Sequence, residues 1–176
     1  MSVNEELQEH AEHAHDSFSR RTGAGMAIIA ACLAVVAVSG HIETTEELLD
    51  QQKASDQWAF YQAKSLRRYQ SDVARDILAQ LPGEKAAKSV EKYSANMERY
   101  IKDGEEIKKK AEELEIESAL SGHRALRFHF GEVLLELAIV FCSLAILSKR
   151  SMFFYVGIAG AAVGVVIAAS GLLVAH

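Results

Sequence analysis

The sequence predicts an all-α integral membrane protein with three transmembrane helices and a long antiparallel coiled-coil helical hairpin between the first and second. Three observations carry that expectation: apolar residues gather into two blocks, a charged block separates them, and the charged block keeps a heptad spacing on either side of a single proline. Mean hydropathy over the 176 residues is near zero, an average that describes neither kind of block. Ala24 to Ser39 contains no charged residue, and the 47 residues from Phe130 onward contain only Glu132, Glu136, Lys149 and Arg150. Residues 41–128 hold 15 of the 19 Lys and Arg and 17 of the 24 Asp and Glu.

Residues 1–22 form a polar, acidic, His-rich tail. His10, His13 and His15 could chelate a metal on a helix, but no core anchors the tail, and no metal site is assigned. Residues 23–40 approach the roughly 20 apolar residues that a bilayer core of about 30 Å requires. The long acidic leader before them is unlike a signal peptide, so this segment is read as an uncleaved anchor.

Residues 41–128 are expected to form an extramembrane helical hairpin with its turn at 82–83, because Leu81-Pro82-Gly83-Glu84 is the strongest breaker in the chain. Ala86, Val90, Tyr93, Met97, Tyr100, Gly104, Ile107, Ala111 and Leu114 recur at alternating four and three residues, the coiled-coil spacing. The first arm offers a stripe through Ala59, Ala63 or Gln62, Leu66, Tyr69, Val73, Ile77 and Leu81. Folding at Pro82 brings Trp58 and Tyr61 near Tyr100 to Ile107, where Gly104 leaves room for a ring. Gln57, Trp58, Tyr61 and Gln62 form an aromatic and amide patch that fills the seam or meets a partner.

Residues 129–147 and 152–174 are the second and third spans, joined by a short basic loop at 148–151. Backbone groups in lipid must bond internally, so all three spans should be helices. Arg20-Arg21 and Lys149-Arg150 fall on one side of the membrane, which the positive-inside rule makes cytoplasmic. The amino terminus is then cytoplasmic and the hairpin lies on the outer side.

Glu132 and Glu136 sit four apart on one face of the second span, with His129 three residues before Glu132. Intramembrane carboxylates are functional candidates by default, and these three are a candidate ion or proton site. In the third span Gly157, Gly160, Gly164, Ala168 and Gly171 mark a helix-packing or oligomer interface, since small residues let helices approach closely. Cys32 and Cys142 serve as small apolar side chains. Bases and acids alternate along the middle block, which argues against nucleic acid. Neither GxxxxGK[ST] nor GxSxG occurs, so no enzyme activity and no cofactor are expected.

The runs KASDQWAFYQAKS and KYSANMERYIKDGEEIKKKAEELEIES, with the two closing spans, resemble the domain-of-unknown-function 4337 family of bacterial membrane proteins. The resemblance covers nearly the whole chain. It implies one anchor, a charged helical middle and a closing pair of spans in a bacterial inner membrane, and transfers no catalytic residue. The expected function is structural or scaffolding: a homo-oligomer in the lipid bilayer whose hairpin binds copies of itself or an envelope protein partner. The alternative is an oligomeric ion or proton channel or transporter accessory.

Overall fold

The computed structural model describes the backbone of residues 3–173 and the side chains of residues 17–173. It contains three helices, α1 (Val3–Ala79), α2 (Glu84–Ser148) and α3 (Ser151–Gly171), and no strand among the described residues. Each helix includes a stretch long and apolar enough to cross a membrane. α1 and α2 run unbroken for 77 and 65 residues, so the arms and the apolar stretches are parts of the same two helices. Gly23, Gly25 and Gly40 do not interrupt α1. Each costs about 1 kcal/mol relative to alanine, less than unbonded backbone in an apolar surrounding would cost.

The helices stop where the backbone chemistry forces them to. Gln80 and Leu81 close α1 with N–H bonds to the carbonyls of Ile77 and Leu78 at 3.2 and 3.1 Å. Pro82 has no N–H to continue the ladder, and Gly83 adopts φ +118°, a region open to glycine. Ala87 N–H then bonds the Gly83 carbonyl at 3.2 Å and α2 begins. The second break is tighter than expected: Ser148 and Ser151 belong to the helices, and only Lys149, at φ +56°, and Arg150 link them.

The described chain divides into two compact units. One comprises the segment up to Thr45 together with Leu120 onward; the other is Glu46–Ala119. In the first unit, Ile29, Val36, Phe128, Leu135, Ala138, Cys142, Ala161 and Ala168 are buried together. The contact between α2 and α3 is built on small residues. A Cβ at Gly131 would lie 2.7 Å from Ala168 Cβ and 2.8 Å from the Gly164 carbonyl oxygen. One at Gly157 would lie 2.8 Å from Cys142 Sγ and 2.9 Å from the Ala138 oxygen.

In the second unit the two arms run antiparallel. Ser118 Oγ donates to the Glu47 carbonyl at 3.0 Å, and Tyr61 lies against Gly104, where a Cβ would meet its ring at 3.5 Å. Between these levels sit Ala54 and Ala111, exposed by only 2 % and 0 %. The α2 seam lies where its spacing puts it: Ala86, Val90, Tyr93, Met97, Tyr100, Gly104, Ile107, Ala111 and Leu114 are each buried or half-buried.

The first-arm stripe is a correction. Ala59, Gln62, Ala63, Leu66, Tyr69, Val73, Ile77 and Leu81 are all exposed. The packed face runs instead through Ala54, Trp58, Tyr61, Lys64, Ser71 and Arg75, about 140° round the helix from the apolar stripe. The cause lies in the partner arm. Gly104, Ala111 and Ser118 recur every seven residues and admit close approach, so α1 turns toward them the face whose side chains fit. Close fit and cross-arm bonds outweigh the larger apolar content of the other stripe.

Candidate functional site

The polar cluster of the first unit is assembled from α1 and α2. Gly40 is the contact point: a Cβ there would meet Phe128 Cβ at 3.2 Å and the His129 ring at 3.3 Å. This places His129 beside the next turn of α1, where Thr44 Oγ1 lies 3.1 Å from His129 Nε2. On the other side of the ring, His129 Nδ1 is 3.2 Å from Glu132 Oε2. His41 meets His129 edge to face, with ring centroids 6.4 Å apart and planes at 78°. Glu43 Oε2 is buried without a hydrogen-bond partner among the described residues.

Hydrogen counting defines what this cluster can do. Thr44 Oγ1 also lies 2.9 Å from the Gly40 carbonyl oxygen, to which it can donate its one proton. In that arrangement His129 Nε2 must donate to Thr44, and a single proton lies between His129 Nδ1 and Glu132. If the hydroxyl turns toward Nε2 instead, a neutral His129 donates from Nδ1 to Glu132. The site therefore accommodates one proton more or less by rotating a single hydroxyl. The nearness of His41 to His129 depends on the pairing of α1 with α2, which no local spacing encodes. Among the described residues no three His, Cys, Asp or Glu side chains gather so as to hold a metal ion. The side chains of His10, His13 and His15 lie outside the described residues.

Glu136 does not join this cluster. It is exposed on the side of α2 away from the buried Leu135 and Ala138, and among the described residues no hydrogen bond or ion pair reaches it. It lies 13 residues before Lys149, about 20 Å along the helix. An ionised carboxylate at such a depth in a bilayer costs about 2.5–3.5 kcal/mol.

On α3, Gly157, Gly164, Ala168 and Gly171 are buried together with Ala161. Gly160 is not part of that contact, since a Cβ there would meet nothing within 4 Å.

In the second unit the aromatic and amide residues do not form one patch. Trp58 and Tyr61 stack edge to face with centroids 5.7 Å apart, and Trp58 Nε1 donates to Glu115 Oε1 at 2.8 Å. Gln57 lies on the other flank, in a groove with Phe60, Lys64, Asp103, Ile107 and Lys110. Gln62 is exposed. Lys64 Nζ bonds Asp103 Oδ2 at 2.6 Å and lies 5.5 Å from the ring centres of both Phe60 and Tyr100. The bond from Lys64 holds the Asp103 carboxyl below the ordinary aspartate range, against a smaller opposing effect of burial. This groove can hold a cation, and the chain's own lysine is the cation in it.

A family model described as Domain of unknown function (DUF4337) matches residues 18–174. The chain belongs to this family. The DUF4337 match takes in the QWAFYQAKS run, both arms and all three apolar stretches, so the resemblance carried by those segments holds across nearly the whole chain. No curated protein and no solved structure matches it.

Proposed function

We propose that this DUF4337 chain is a non-enzymatic scaffold of the bacterial inner membrane, anchored by three spans, whose outer hairpin associates as a coiled coil with further copies of itself. The exposed apolar stripe of the first arm carries this reading. Leu66, Tyr69, Val73, Ile77 and Leu81 lie on one face and are between 43 and 65 % exposed. Single exposed apolar residues are ordinary, whereas a continuous stripe of five at helical spacing marks an interaction surface. Its spacing of three and four residues suits a neighbouring helix better than an irregular ligand. An envelope protein presenting a similar helix is the other occupant that would fit.

The test is cross-linking of the full chain, comparing the native sequence with a Leu66→Gln/Ile77→Gln double variant. Both side chains are already exposed, so hairpin stability should change by no more than about 0.5 kcal/mol per site. Loss of hairpin cross-links with unchanged helicity is expected; undiminished cross-linking would overturn the proposal.

One observation favours a second reading, a proton or cation channel. His129 is held between two helices with oxygen atoms at both ring nitrogens, and Glu136 lies one turn beyond Glu132. In proteoliposomes that reading requires ion flux that Glu136→Gln abolishes. Equal flux with and without the carboxyl removes it.

A further inference from the structure

We infer that one flank of the hairpin is a binding furrow for an acidic oligosaccharide, with a neutral sugar ring at Trp58 and a carboxylate-bearing ring between Arg68 and Lys108. The inference goes beyond the scaffold reading and stands whether or not the hairpins associate.

The furrow follows from the packing of the two arms. Ala54, Gly104 and Ser118 lie buried in the seam, so the helices approach closely and the side chains beside the seam become walls. Gln51, Trp58 and Ser65 recur every seven residues on α1, as Lys108 and Glu115 do on α2, and all five border the same flank. Two cavities lie along it. One, of about 400 Å³, is lined by Gln51, Ser55, Trp58 and Glu115. The other, of about 250 Å³, is lined by Tyr61, Ser65, Arg68, Tyr100, Glu105 and Lys108. Trp58 of the first meets Tyr61 of the second edge to face, with centroids 5.7 Å apart, so the cavities are neighbours. Gln51 and Arg68 are 17 residues apart, about 25 Å along the helix. That length suits an extended ligand.

The opposite flank has used its polar groups, since Lys64 and Asp103 satisfy each other at 2.6 Å. On this flank Gln51, Ser55, Ser65 and Arg68 make no hydrogen bond or ion pair among the described residues. Lys108 has only a loose pair with Glu112 at 3.6 Å.

Charge differs between the two cavities, and the difference defines the ligand. Around the second, Arg68 and Lys108 against Glu105 leave one net positive charge, with the Ser65 hydroxyl as a further donor. A single carboxylate matches it, and a guanidinium fork suits that planar group. Around the first, Glu115 is the one charged side chain among the described residues, and its Oε1 already accepts from Trp58 Nε1 at 2.8 Å. An anion is disfavoured there, whereas ligand hydroxyls find donors and acceptors on Gln51, Ser55 and Glu115. The same bond fixes the indole, a flat apolar surface against which the C–H side of a sugar ring packs. A polyphosphate would set charge against Glu115. An amphipathic helix would need large apolar pockets where the seam offers alanine, glycine and serine. A chain of sugar rings with carboxylates on some of them meets both demands.

The experiment uses the full chain in detergent. Trp58 is the one tryptophan of the sequence, so its emission reports the furrow. A hyaluronate tetrasaccharide, in which glucuronate and N-acetylglucosamine alternate, should shift that emission saturably below about 10 mM. Chitotetraose, which lacks the carboxylates, should bind about tenfold more weakly or less. Arg68→Gln should weaken hyaluronate binding about ten- to a hundredfold, and Gln51→Ala about two- to tenfold. Lys110→Gln, on the opposite flank, should leave it unchanged; all three side chains are exposed, so the hairpin keeps its fold. The absence of a saturable shift overturns the furrow. Equal loss in Arg68→Gln and Lys110→Gln, or a tetraglutamate peptide binding as tightly, overturns the saccharide. Cross-linking of hairpins in the same samples reads the scaffold separately, so either proposal can fail while the other holds.

Discussion

Trp58 shows how side-chain direction decides which residues meet. Counting from Pro82 places it opposite Ile107, yet its indole bonds Glu115, two turns further along the partner arm. Side chains on a helix lean toward its amino terminus, so in an antiparallel pair two of them can converge from levels well apart. Tyr61 against Gly104 was legible from spacing because a glycine gap admits a ring from its own level. The Lys64–Asp103 bridge was not legible, since a lysine and an aspartate on mostly charged arms offer many pairings. That bridge gives the hairpin an acid-sensitive contribution. The Asp103 carboxyl is held below its ordinary range, so its contribution is present at neutral pH and is lost as pH falls below about 4. Thermal unfolding followed from pH 7 to pH 3 should show a steeper loss in the parent than in Lys64→Met. Parallel profiles would discount the bridge.

Among elements, α3 separates packing from pattern. The small residues of this helix suggest a stripe through Gly160 and Gly164, but the face buried against α2 runs through Gly157, Ala161, Gly164, Ala168 and Gly171. Gly160 and Ala161 are 100° apart on the helix, and composition cannot choose between them when both are small. Substitution distinguishes them. Gly131→Ala would force a methyl against the Gly164 carbonyl and Ala168, and should destabilise the first unit by about 1–3 kcal/mol, read as a lowered melting temperature in detergent. Gly160→Ala meets open space and should melt no lower than the parent, and slightly higher by the helix preference of alanine, about 1 kcal/mol at most. At the α1 turn, Gly83→Ala places an L side chain at φ +118° and should cost the hairpin about 1–3 kcal/mol, measured by chemical denaturation.

For the molecule as a whole, the proposed topology puts both basic pairs on one side of the bilayer and the hairpin on the other. A membrane-impermeant maleimide applied to spheroplasts should label Ser89→Cys readily and Ser151→Cys only after lysis. The reverse pattern would invert the topology while leaving the helices as they are. The three apolar stretches needed only the charge segregation, because a stretch without ionisable groups and a stretch full of them cannot share one solvent. The unbroken passage of α1 and α2 from one block into the next follows from Pro82, between them, being the one proline in the sequence.

Composition and periodicity alone dictated three apolar helices, a chain reversal at Pro82-Gly83 and the seam of the second arm, since each follows from local chemistry or from the spacing of residues along one helix. Helix pairing decided the rest: which face of the first arm packs, that His41 and Thr44 meet His129, that Ala161 rather than Gly160 is buried, and that Glu136 points away from its own chain. Period fixes how often a face recurs but not which way it turns, and that phase is chosen by the shape of the neighbouring helix.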